Sequence, residues 1–269
     1  MNTPFTRGRA AALAFALGVA ILAAPAIGAT DVTDIGSLDQ GALAALPSFQ
    51  AANKQLNDYG NGMRGQYIRR AQHASQSEQA RLGNEFQQKM ADKQRQLFGP
   101  LFQKAQVAIA SVASSKNLSV VVDKRIVVVG GQDITPSVRQ LLTGIGDPVP
   151  PSSTPPPSKV GYVDQSAIDQ TPRVKAAAEE FGKYKNDQDK IFQDKLKNAK
   201  SAADRDAVLK DYRKTLDDKQ NATLKPVVDQ TRNAMSDVAK SKGLILVVDK
   251  GNIVFGGTDI TKDVVDKLK

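Results

Sequence analysis

Cysteine and tryptophan are absent from the 269 residues, histidine occurs once, and aromatic residues make up only 5%. Without cysteine no disulfide can staple the fold, and no thiolate can bind a metal or attack a substrate. With His73 as the one imidazole, a Cys/His dyad and a His/Cys metal centre are excluded too. Long apolar runs are also missing: beyond the first 29 residues nothing approaches the roughly 20 apolar residues needed to span a bilayer. Lys, Gln, Asp and Ala dominate instead, a composition that suits long helices with thin apolar stripes better than a thick globular core.

The chain starts with Arg7 and Arg9 and no acid, continues with an apolar run from Ala10 to Ala24, and then reaches small residues around Pro25 and Gly28. That order is the one found in a secretory signal peptide, with cleavage expected after Ala26 or Ala29. A membrane anchor would need a longer run. Residues 1–29 are therefore read as a leader, and in a Gram-negative cell the default destination of the exported chain is the periplasm.

The mature part contains one pattern twice. LSVVVDKRIVVVGGQDITPSV around Asp123 aligns without a gap with LILVVDKGNIVFGGTDITKDV around Asp249, 126 positions later. Ile35-Gly36-Ser37-Leu38-Asp39 aligns with Val160-Gly161-Tyr162-Val163-Asp164 at a spacing of 125. One indel over such a distance means two copies of one domain, assigned to residues 30–143 and 159–269. Between them, residues 144–158 hold stacked prolines and read as a semi-rigid spacer of roughly 3 Å per residue that keeps the units apart.

Each copy is expected to be α+β: a long antiparallel helical hairpin standing on a small β-sheet base that oligomerises. In the second copy, residues 159–164 alternate like a short strand, and Ser166 to Lys200 has helical apolar spacing. Ser201 with Asp204 resembles a capping box opening a second helix that runs to about Lys242. At about 1.5 Å per residue each arm reaches roughly 50 Å. Pro226, and Pro100 at the equivalent place, should bend the second helix of each arm. Leu244–Asp249 and Asn252–Phe255 flank Lys250-Gly251 and read as a β-hairpin, followed by a C-terminal helix with Thr261 as its N-cap. The first arm turns near His73, where Ser75 and Glu78 complete a capping box, and Gly60, Gly62 and Gly65 should soften its outgoing helix. Three short strands per copy cannot bury a self-sufficient core. The base should associate through Val121, Val122 and Val128 in the first copy and Val247, Val248 and Val254 in the second.

No catalytic constellation assembles, and the chain is read as a non-enzyme with no cofactor or metal. Gly130-Gly131 and Gly256-Gly257 lack the lysine and serine of a phosphate loop and read as turns. Asp123 with Asp133, and Asp249 with Asp259, could be paired carboxylates, but their places at strand ends favour turn and capping roles. A net charge of +9 and a pI near 9.6 raise nucleic-acid binding. The export signal and the lack of basic clusters interleaved with aromatics argue against it.

The leader, the Val160-Gly161-Tyr162-Val163-Asp164 strand, the charged hairpin and the ending Leu244-x-x-Val247-Val248-Asp249 … Asp259-Ile260-Thr261-x-x-Val264 resemble the Skp, or OmpH-like, family of periplasmic chaperones, most closely over Ala239–Leu268. The resemblance implies a jellyfish-like trimer whose arms enclose unfolded outer-membrane β-barrel proteins without ATP, and an affinity for lipopolysaccharide or anionic lipid. Candidate client-facing residues are Phe181, Tyr184, Phe192, Tyr212 and Leu216, with Tyr67 and Phe86 in the first copy; each could instead pack between the helices of its own arm. The tandem arrangement departs from the family, whose members carry one copy, and leaves open a trimer of chains or a body mixing first and second copies. The alternatives are an envelope structural or adaptor protein and a lipid- or lipopolysaccharide-binding protein.

Overall fold

A computed structural model of the chain describes residues 33–269 apart from positions 73 and 152, so the leader and His73 lie outside the described residues. The first copy runs β1 (Ile35–Leu38), α1 (Gln40–Ala44), α2 (Pro47–Ala71), α3 (Gln76–Ser115), β2 (Val120–Asp123), β3 (Gln132–Asp133) and α4 (Thr135–Thr143). The second runs β4 (Val160–Val163), α5 (Gln165–Asp169), α6 (Pro172–Asn198), α7 (Ala202–Thr223), α8 (Lys225–Ser241), β5 (Leu246–Asp249), β6 (Ile253–Gly256), β7 (Thr258–Asp259) and α9 (Thr261–Lys267). The α+β class and the two arm-on-base units are as expected.

The arm is the crossover of the base. β1 pairs in parallel with β2, and β4 with β5. Parallel neighbours cannot be joined by a tight turn, so the chain must leave the sheet and return, and the helical hairpin is that excursion. The third strand of each copy is the dipeptide β3 or β7, parallel to the first strand on its other side. A glycine in each first strand allows close packing. A Cβ on Gly36 would lie 2.7 Å from Leu118 Cδ1, and one on Gly161 would lie 2.5 Å from Leu244 Cδ1.

The expected β-hairpin does not form. β6 leaves β5 through a turn in which Asp249 Oδ1 accepts from Gly251 N at 2.7 Å. It then pairs antiparallel with β2 of the first copy, Val120 facing Gly256, Val121 facing Phe255 and Val122 facing Ile253. The first sheet is therefore β3-β1-β2-β6, with one strand from the second copy, and the second is β5-β4-β7. Val254 and Phe255 pack against the first copy's core of Leu38, Phe49, Phe98, Ile109, Val121 and Val138. A further cluster joins the two sheets directly through Val120, Val122, Val160 and Val248.

The spacer does not hold the copies apart. None of its described residues is in helix or strand, in keeping with its prolines. It is tied along α3, with Lys104 Nζ 3.2 Å from Asp147 and Ser114 Oγ 2.7 Å from Ser153 Oγ, and then to the start of β2, where Ser119 Oγ lies 3.2 Å from Ser158 Oγ. Ten residues of helix rise about 15 Å, and six residues of extended chain cover about 19 Å, so the two run alongside each other and deliver β4 to the body.

Four local expectations change. The helix expected from Ser166 is split into α5 and α6 before Pro172, which opens α6. The prolines differ: α3 is unbroken through Pro100, whereas the second copy's helix is interrupted at Leu224, with Pro226 in the first turn of α8, where a missing N–H leaves no bond unmade. The capping box is complete at Ser201/Asp204, while Ser75 Oγ accepts from Glu78 N at 3.4 Å and the reciprocal bond is not made; Glu78 reaches Arg81 instead. Thr261 is the first residue of α9, not its cap. Its hydroxyl accepts from Asp164 N at 2.9 Å, as Thr135 Oγ1 does from Asp39 N at the same distance. Each threonine thus ties the end of the first strand to the last helix of its copy.

Candidate functional site: the arms and the base

The arms are built with almost no interior. In α2 the last buried residue is Ala52, and in α3 only Leu82 is buried before Phe98. The second arm is thinner: α6 buries Ala177 and Phe181, and α7 buries nothing. Outgoing helices of 25 and 27 residues rise about 40 Å, shorter than the roughly 50 Å expected from sequence, and their first turns are docked on the base. What remains is two helices in contact with each other.

Of the seven arm residues singled out from sequence, six have partners within their own arm. Tyr67 packs on Phe86 with ring centroids 6.1 Å apart, and Phe192 on Tyr212 at 4.5 Å. Phe181 is buried with Ala177 and Leu224 at the foot of the second arm, and Lys219 Nζ sits 5.4 Å from the centre of the Tyr184 ring. Leu216 is half-buried. Tyr212 Oη donates a short bond to Asp189, which also receives Lys185 Nζ at 2.7 Å. The lysine first, and then the phenol, hold the Asp189 carboxyl below its ordinary range, and the same bond pushes the Tyr212 phenol up. The apolar groups that do face water were not singled out from sequence: Ile68 is 50% exposed, Phe102 54% and Ile191 46%. Ile68 directly follows Tyr67, and Ile191 directly precedes Phe192, so each lies about 100° round the helix from the inward ring. That offset was available in the sequence.

Arms without a core are held by charge at the surface. Lys195 meets Asp211 at 2.8 Å, Lys219 meets Glu180 at 2.5 Å, and Arg70 lies 3.7 Å from Glu85 across the first hairpin. Such exposed pairs contribute little individually.

The base holds the six valines proposed for association. Val121, Val122 and Val248 are buried within the body. Val247 is half-buried beside the second core, and Val254 is half-buried against the first. Val128 stands 90% exposed. The aspartates do turn and capping work: Asp123 Oδ1 accepts from Arg125 N, Asp133 Oδ1 from Thr135 N and Asp259 Oδ1 from Thr261 N. Hydrogen bonds from the Arg125 side chain hold the fully buried Asp123 carboxyl below its usual range. Burial pushes Asp133 up, but its bonds to Lys124 and Thr135 prevail and hold it low. Lys262 and Lys269 bring Asp266 to about 2. Among the described residues no cluster of His, Asp or Glu is placed to hold a metal, and no helix is long and apolar enough to cross a membrane.

Arms with little interior on a sheet body, present twice in one chain, define a tandem arm-and-base protein. The sequence profile of the family described as "Outer membrane protein (OmpH-like)" matches residues 43–142 and again 184–268, together more than half of the chain, and the chain belongs to that family. The split match falls on the two copies, and the family is one of non-enzymatic chaperones. Comparison with curated proteins and with solved structures gives no match.

Proposed function

We propose that the chain is an ATP-independent holdase of the periplasm, which binds unfolded outer-membrane β-barrel proteins between its helical arms and keeps them from aggregating. Membership of the OmpH-like family supports this reading. The observation that carries it is the arm itself: beyond Phe181 neither α6 nor α7 buries a side chain, so their apolar residues are available to another chain. Contacts through Ile68, Ile191 and the half-buried rims of Tyr67, Phe86, Tyr184, Phe192, Tyr212 and Leu216 are individually weak and spread out. A client held this way can rearrange and leave without nucleotide. The excess positive charge adds attraction for acidic clients, screened beyond about 8 Å at physiological salt.

The test is dilution of a urea-unfolded outer-membrane barrel into the purified mature chain without nucleotide, followed by light scattering. Stoichiometric protein suppresses scattering, and the double variant I68S/I191S needs a several-fold higher concentration for the same effect. Unchanged aggregation together with capture of a folded envelope partner would support the adaptor reading instead. Strong binding to anionic vesicles without client protection would support the lipid or lipopolysaccharide reading.

A further inference from the structure

The feet of the two arms are built from equivalent positions but are packed differently. In the first copy three rings meet there. Phe49 of α2 lies 6.4 Å from Phe98 and 5.8 Å from Phe102 of α3, and those two lie 5.9 Å apart, centroid to centroid. The spacings of 125 and 126 positions that relate the copies put Val174, Leu224 and Val228 in the same places. Three aromatic side chains in one copy are thus three smaller aliphatic ones in the other.

The second copy has an apolar cleft at this position, between α5, α6 and α8. Ile168, Ala177 and Leu224 are buried on it, and Val174, Val227 and Val228 are half-buried. It encloses about 20 Å³, the space of roughly one water-sized sphere. The Thr231 hydroxyl, also on the lining, donates to Val227 O at 2.9 Å. A void lined by apolar groups stays dry, and the groups around it lack the contacts that a filled site would give them. A carboxylate is added where the rings are missing. Asp169 borders the cleft where the first copy has Ala44, and its Oδ1 accepts from Gln165 Nε2 at 2.7 Å.

The geometry points to a binding site for one aromatic side chain of an unfolded client, a tyrosine or tryptophan. Its ring takes the place that phenylalanines fill in the first copy, and its O–H or N–H donates to Asp169. Both residue types join an apolar body to a donor that needs a partner once buried. Outer-membrane barrels carry them in girdles at both membrane interfaces, so an unfolded barrel presents many such rings. A ring is larger than the cleft, so α8 moves outward as it enters. The wall is built for that movement, because Leu224 ends α7 and begins α8, whereas α3 is unbroken at the equivalent place. This inference rests on the holdase reading and gives it one defined contact, in the second copy only.

The chain has no tryptophan, so a short unfolded peptide with one tryptophan among glycines and serines reports its own binding by fluorescence. Titrated with the full mature chain, its emission shifts to the blue and saturates. V174F/V228F, which carries the first copy's residues, binds about tenfold more weakly while melting no lower than wild type. D169A binds several-fold more weakly. Equal affinity of wild type and V174F/V228F overturns the inference. In wild type alone, the bound ring shifts the methyl resonances of Ile168, Val174, Val227 and Val228; shifts confined to valines of the base also overturn it. So does free indole that binds where the peptide does not, since the cleft would then serve a small molecule. Peptide binding at the cleft without suppression of barrel aggregation would count against the proposed function alone.

Discussion

The smallest unit that explains the base is a threonine. Thr135 and Thr261 each accept a backbone hydrogen bond at 2.9 Å from the residue that follows the first strand of their copy, Asp39 or Asp164, across 96 and 97 positions of chain. A valine of the same shape leaves that N–H unpaired, which costs about 1–2 kcal/mol. T135V and T261V should each lose that much in urea denaturation, and the matching geometry predicts similar losses. Asp123 makes a pH-dependent contribution. Its folded pKa lies below the ordinary value of about 3.9, so its stabilisation is fully present above about pH 4 and is lost as pH falls through the folded value. The melting temperature of wild type should fall more steeply than that of D123N on acidification from about pH 4 to pH 2. Parallel curves would remove Asp123 as a cause.

At the level of elements, a strand is defined by the edge it finds as much as by its own residues. Phe255 belongs to the second copy but packs against the first copy's core. F255A should therefore cost about 3 kcal/mol, with hydrogen exchange rising first at 35–38 and 120–123 and much less at 160–163. Faster exchange confined to the second copy would contradict the strand crossing. The first two strands of each base, the arms and the turns were legible from local chemistry, but this partner and the dipeptide strands β3 and β7 were not. Lys250-Gly251 between two apolar runs is the usual mark of a hairpin, and VVVD at β2 and LVVD at β5 are nearly interchangeable edges. Turn chemistry states that the chain turns and does not say which edge it meets next. The arms were legible for the opposite reason, since their partner is the adjacent helix. Within the first arm, Gly62 has open space around it. G62A should stabilise α2 by about 1 kcal/mol, whereas at Gly60 a methyl would meet Met90 Cε at 3.2 Å and gain less. Thermal melts of the two variants distinguish the cases.

For the whole molecule, the question is what holds two duplicated modules together. The proline-rich segment joins them covalently, but the non-covalent connection is made by β6 on β2 and by the valine cluster shared between the sheets. If these contacts carry the association, the covalent link is dispensable once the chain has folded. A protease site inserted between the exposed Thr154 and Pro155 tests this in the full chain. After cleavage the halves should leave gel filtration in one peak, and the same cut in an F255A background should release them on dilution. Halves that part in the wild-type background would mean the linker, not the strand, sets their association. The expected result also explains why duplication suits this architecture. A module whose base cannot complete its own sheet gains a permanent partner at high effective concentration when the second copy is on the same chain, and the strand it receives is supplied without a bimolecular encounter.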